Sequence, residues 1–90
     1  DRFQIGSALS IVELKPPSAI QGKPLLKLDL RKQHRVSIVA IYRTHHSVDD
    51  VGNPIKEESV LFPEPTTVLE EQDSVLIVGK NEDIDKFKEL

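Results

Sequence analysis

Residues 28–43, LDLRKQHRVSIVAIYR, constrain the fold of this chain more than any other stretch. Charge gathers from Arg31 to Arg35. Val36, Ile38, Ala40 and Tyr42 then alternate with Val39 and Ile41, which makes a strand that is apolar on both faces. A strand covered on one side by its own domain needs only one apolar face. The second face therefore calls for a second cover, either another layer of the same chain or another molecule. Ninety residues form one domain and bury only ~60–65% of the surface that the unfolded chain exposes, so material for an extra layer is scarce.

The rest of the chain supplies the partners of this strand. SALSIVELKPP alternates loosely and stops at Pro16 and Pro17, which predicts a first strand. Gly22 and Pro24 open a helix expected from about Lys23 to His34, with Leu25, Leu26, Leu28 and Leu30 as its apolar side. On such a helix Lys23, Lys27 and Arg31 form one basic stripe that Arg35 extends; the stripe reads as a solvated face or as an anion site. THHSVDDVGNPIKEES is polar and turn-rich and predicts a long loop or hairpin tip. Strand character returns at Val60–Phe62, bends at Pro63 and Pro65, and ends in Val75–Val78, closed by Gly79. Asn81 then suits a helix N-cap, with Ile84 and Phe87 packing at i, i+3. The expected fold class is α+β: a small mixed or antiparallel sheet with helices on one side, in a single domain over residues 1–90.

Several function classes find no support. Fifteen acidic against twelve basic residues give a formal charge of −3, which argues against coating nucleic acid by charge. No cysteine is present, so neither a disulfide nor a thiolate site is available. No apolar run approaches the ~20 residues that span a bilayer. His45, His46, Asp49 and Asp50 are metal-ligand types, but adjacent histidines in a loop point apart, and no metal site is expected. No nucleophile motif or glycine-rich phosphate loop occurs, and an enzyme is not expected. The chain opens at Asp1 without a methionine, as a piece of a longer protein would.

GKPLLKLDLRKQHRVSIVAIYR, followed by PEPTTVLEEQDSVLIVGKNEDIDKF, resembles the C-terminal domain of regulator-of-potassium-conductance proteins, the TrkA-C domain, over roughly Ser7 to Phe87. The matching positions are Gly22-Lys23, Leu28-Asp29-Leu30-Arg31, Val39-Ala40-Ile41, Pro65, Leu69, Asp73 and Gly79. Two departures stand out: Gln72 replaces the family's usual glycine before the turn aspartate, and the segment Thr44–Ser59 is longer than is usual. The resemblance implies a cytoplasmic regulatory module of a potassium or other cation transport system, working with a membrane-embedded transporter or channel subunit. It implies a homodimer whose second subunit covers the second apolar face, and a small nucleotide effector, cyclic di-AMP, at the interface, with no cofactor. Carried over by position, Leu25 and Ile38 are apolar contacts to base or ribose and Arg31 faces a phosphate. Asp29 orients that arginine, Ser37 and the backbone around Val36 bond the base, and Pro65 closes an apolar wall. Ser37 often corresponds to asparagine in the binding members. The alternative is a ligand-free dimerisation domain of a transporter or antiporter.

Overall fold

The computed structural model describes residues 2–90. Five strands form one sheet in the order β1-β2-β5-β3-β4: β1 (Arg2–Ile5), β2 (Leu9–Leu14), β3 (Val36–Val48), β4 (Pro54–Leu61) and β5 (Ser74–Lys80). Every neighbouring pair is antiparallel, so of the two sheets expected it is the antiparallel one. Three short α-helices accompany it: α1 (Leu25–Leu28), α2 (Leu30–His34) and α3 (Asn81–Phe87), with a 3-10 turn at Ser18–Ile20.

The core lies on one face of the sheet. Register places Val12, Ile77 and Ile38 side by side, and next to them Val75 and Ile41. Ile20, Leu30, Leu69, Ile84 and Phe87 pack over this row, and most are at or below 2% exposed. Ile84 and Phe87 thus anchor α3 as their spacing predicts. The only buried polar side chains among the described residues are Ser10 and Asp73.

The alternation in the central strand breaks at a point that period-2 reading cannot show. Ile38 pairs with Ile77 but Ala40 pairs with Leu76, so Val39 is an extra, bulged residue. Val36, Ile38 and Ile41 therefore share the core face, while Ser37, Ala40 and Tyr42 face the other way with Val78, Leu76 and Ser74. The expected sets, Val36-Ile38-Ala40-Tyr42 and Val39-Ile41, are corrected accordingly.

Other elements also depart from expectation. The helix expected over 23–34 is two helices, because Asp29 sits in the left-handed region (φ 47°, ψ 55°) between α1 and α2. Aspartate tolerates that conformation better than most residues. The basic stripe dissolves with it: Lys23 lies outside both helices, and only Arg31 and Arg35 remain one turn apart. Asn81 does not cap α3; Lys80 precedes the helix, and the Asn81 side-chain oxygen accepts a hydrogen bond from Ser10 Oγ at 2.6 Å. The segment 44–59 is mostly paired strand, with the turn confined to Asp49–Asn53. Asp49 organises that turn by accepting the N–H groups of Val51 and Asn53, which holds its carboxyl below the usual range despite the opposing effect of desolvation.

Strand β1 lies outside the elements expected from sequence and forms a hairpin with β2 through Gly6 (φ 62°). Gly79 does not terminate β5 but lies within it. A Cβ there would sit 3.1 Å from the Arg35 carbonyl oxygen and 3.1 Å from Val36 Cγ1, so glycine is what lets the turn after α2 close against the sheet.

Candidate functional site

Between residues 36 and 40, β3 pairs only with β5, because β4 leaves it at the Ile41–Leu61 pair, just ahead of Pro63. Proline cannot donate to a ladder, so the edge of β3 is left free there. Helices α1 and α2 stand over that edge. The first N–H groups of α1 are satisfied from the opposite segment, Leu25 by the Thr67 carbonyl at 2.9 Å and Leu26 by the Pro65 carbonyl at 3.0 Å. The result is a concavity of about 270 Å³ walled by Leu25, Leu26, Leu30, Ile38 and Pro63, with Asp29, Arg31 and Ser37 as its polar groups.

Five of the seven residues expected at a site therefore lie together: Leu25, Asp29, Arg31, Ser37 and Ile38. They come from three elements and the αL junction between α1 and α2. Val36 is buried in the core at 1% exposure, and its backbone lies on the free stretch of β3. Pro65 does not line the concavity; its carbonyl anchors α1, and Pro63 forms the wall. Among the described residues Asp29 and Arg31 make no ion pair with each other, so the guanidinium and the carboxylate are both open to a ligand. Leu26 and Leu30, legible in the sequence only as the apolar side of a helix, and Pro63, legible only as a bend, complete the lining. Leu26 is 71% exposed, on a helix none of whose residues is fully buried.

Arg31 and Ser37 also line a second hollow, of about 400 Å³, with Leu9, Arg35, Val78 and Gly79. The two hollows thus share Arg31 and Ser37, and the second lies beside Leu9 and Val78 on the uncovered face of the sheet. That face carries Phe3, Ile5, Leu9 and Val60, all exposed, beside half-buried Ile11, Leu76, Val78, Ala40 and Tyr42. An apolar surface of this kind marks a contact site.

The TrkA-C domain model matches residues 9–90, nearly the whole chain. The chain belongs to the TrkA-C family. The TrkA-C chain is 28% identical over 88 residues to the Ktr system potassium uptake protein C of Bacillus subtilis, covering 98% of this chain and 34% of that protein. It is 30% identical over 79 residues to the ammonium/H(+) antiporter subunit AmhM of Alkalihalophilus pseudofirmus, covering 88% and 40%. The Ktr system potassium uptake protein A of B. subtilis is 30% identical over 86 residues, covering 96% and 33%. The chain thus spans a third to two fifths of these relatives. Among solved structures, the GsuK RCK domain matches with a TM-score of 0.60 at 24% identity, over 90% of this chain and 16% of that one. The GsuK channel bound to NAD matches with a TM-score of 0.61 at 26% identity, over 90% and 13%.

The family's departures are absorbed locally in this TrkA-C domain. Gln72 avoids positive φ, since Asp29 and Arg35 are the only non-glycine residues in that region among those described. Its turn is held instead by Asp73, which accepts the Glu70 N–H at 2.9 Å. His45 and His46 sit at adjacent strand positions opposite Glu57 and Lys56 and so point to opposite faces. Among the described residues no group of three or more metal-ligand side chains converges.

Proposed function

We propose that this domain is a ligand-responsive regulatory module of a potassium or other cation transport system, acting as a homodimer that binds a small nucleotide such as cyclic di-AMP between its two copies. The observation that carries the reading is the concavity on the free edge of β3, where apolar Leu25, Leu26, Ile38 and Pro63 meet one unpaired guanidinium, Arg31. Apolar walls suit a purine, and a planar donor fork suits a phosphodiester. The residues this hollow shares with the one beside the uncovered apolar face, Arg31 and Ser37, support a ligand placed at the contact between copies. The transport context is drawn from the printed roles of the relatives, two potassium uptake proteins and an antiporter subunit. A ligand held across a two-fold axis biases the angle between subunits by its differential affinity for the two arrangements, and an attached gate can follow that angle. The module works without catalysis of its own, at the cytoplasmic side of the membrane system it serves.

The same apolar face favours a second reading, a dimerisation domain that binds no ligand. Isothermal titration calorimetry with cyclic di-AMP separates the two, with ATP, cyclic di-GMP and NAD as competitors; NAD enters because the GsuK channel structure is described as bound to it. The proposal expects saturation at one ligand per two chains. It also expects Arg31→Ala to weaken binding about 10- to 100-fold, the worth of a hydrogen-bonded charge pair, while the dimer persists. No heat from any nucleotide, with a folded dimer, leaves the ligand-free module standing.

A further inference from the structure

We propose that Arg35 is a second anion-binding residue of this site, its guanidinium joining that of Arg31 on the phosphate of the bound nucleotide. This rests on the nucleotide reading above and adds to it a residue that neither the motif nor the first hollow contains. Arg35 ends α2 in the left-handed region (φ 59°, ψ 31°), where glycine is the residue of least strain. The turn itself is fixed, because the Arg35 carbonyl lies against Gly79 and the Arg35 N–H donates to the Arg31 carbonyl at 3.1 Å. Folding here thus asks for the backbone and not for a long cationic side chain.

That side chain nonetheless stands one turn from Arg31, and both line the hollow of about 400 Å³ that also contains Ser37 and Val78. Like charges at i, i+4 repel. Among the described residues neither guanidinium lies within ion-pairing distance of a carboxylate, in a chain whose acidic residues outnumber its basic ones. Asp83 lines a neighbouring hollow with Arg35, but Lys86 and His34 line it too, and no ion pair forms. Two guanidiniums left uncompensated at the mouth of one hollow are complementary to a phosphate, whose several oxygens accept from two donor forks at once. Arg31 and Ser37 belong to both hollows and Arg35 only to the second, so Arg35 reaches the anion from the side of the sheet face.

Arg35→Gly separates this role from a structural one. The variant keeps the turn, so the free protein is expected to melt at the same temperature as wild type or a few degrees above it, while affinity for cyclic di-AMP falls about tenfold. Arg35→Lys, which keeps charge without the fork, is expected to recover part of that loss. Unchanged affinity in Arg35→Gly overturns the proposal. If wild type itself gives no heat with cyclic di-AMP, the nucleotide reading fails, and the anion site is read with pyrophosphate at constant ionic strength. Pyrophosphate should then raise the melting temperature of wild type and not of Arg35→Gly; an equal shift in both, or none in either, overturns the two-arginine site.

Discussion

Asp73 shows how a residue that looks like a turn former can hold a fold together. Its side chain is fully buried, and Arg43 grips it with two hydrogen bonds of 2.8 Å, Nε to Oδ1 and Nη2 to Oδ2. Arg43 also reaches Glu70 at 3.0 Å and donates to the Val68 carbonyl, so one guanidinium ties β3 to the segment that leads into β5. Burial works against the charged carboxylate, but the Arg43 hydrogen bond and the Glu70 amide outweigh it and hold its pKa below the usual value. The same hydrogen bond raises that of Arg43 against the cost of desolvation. A carboxylate depressed in the folded state contributes stability above its unfolded pKa and loses it as pH falls through the folded one. Thermal melts from neutral into acid pH should therefore hold steady down to about pH 4 and then drop, and Asp73→Asn should flatten that drop while costing about 3 kcal/mol at neutral pH. Gly79→Ala should cost about 1–3 kcal/mol in denaturant melts, since the added methyl must displace backbone as well as Val36. From sequence, Asp73 was legible as a turn residue and Gly79 as a strand end. Their real partners, Arg43 and Arg35, lie 30 and 44 positions away in the chain, and no local pattern announces such pairs.

At the scale of elements, patterning set the strands and helices, and single residues changed their geometry. The run from Val36 to Tyr42 is a strand as read, yet the Val39 bulge exchanges the faces of everything after it. Leucine spacing marked a helical stretch, yet Asp29 divides it, because an αL residue interrupts the 3.6-residue period. Asp29→Gly should leave stability unchanged or raised, and Asp29→Ala should lower it by roughly 1 kcal/mol, a contrast that a continuous helix would reverse. Strand β1 escaped notice because Arg2, Phe3, Gln4 and Ile5 are all exposed, so no burial pattern was imposed on them. Beyond Tyr42, β3 and β4 pair only with each other and form an arm on a molecule 51 Å long. An isolated two-stranded ribbon is marginal in water. Native-state hydrogen exchange should find the amides of 43–48 and 55–59 opening well before those of 75–78.

At the scale of the molecule, the apolar second face of β3 is one part of a surface that runs across all five strands. Phe3 and Val60 stand 72% and 67% exposed at its opposite edges, where neither supports the core. Replacing both with aspartate should leave the circular dichroism spectrum intact and convert a dimer to monomer in sedimentation equilibrium. The candidate site was legible because Asp29, Arg31, Ser37 and Ile38 are close in sequence and Leu25 is one turn away. Pro63 was not, since its place depends on where β4 leaves the sheet, and Arg35 was legible only as the end of a basic stripe, its place in the second hollow depending on a backbone angle at the end of α2. The proposed bridging of two copies by one ligand is measurable through linkage: a ligand that binds only the dimer must tighten dimerisation. Sedimentation velocity of the wild-type domain, at a protein concentration where monomer and dimer coexist, should show the dimer fraction rising with added cyclic di-AMP and no change with ATP. A dimer fraction that stays constant as cyclic di-AMP saturates the protein would contradict it.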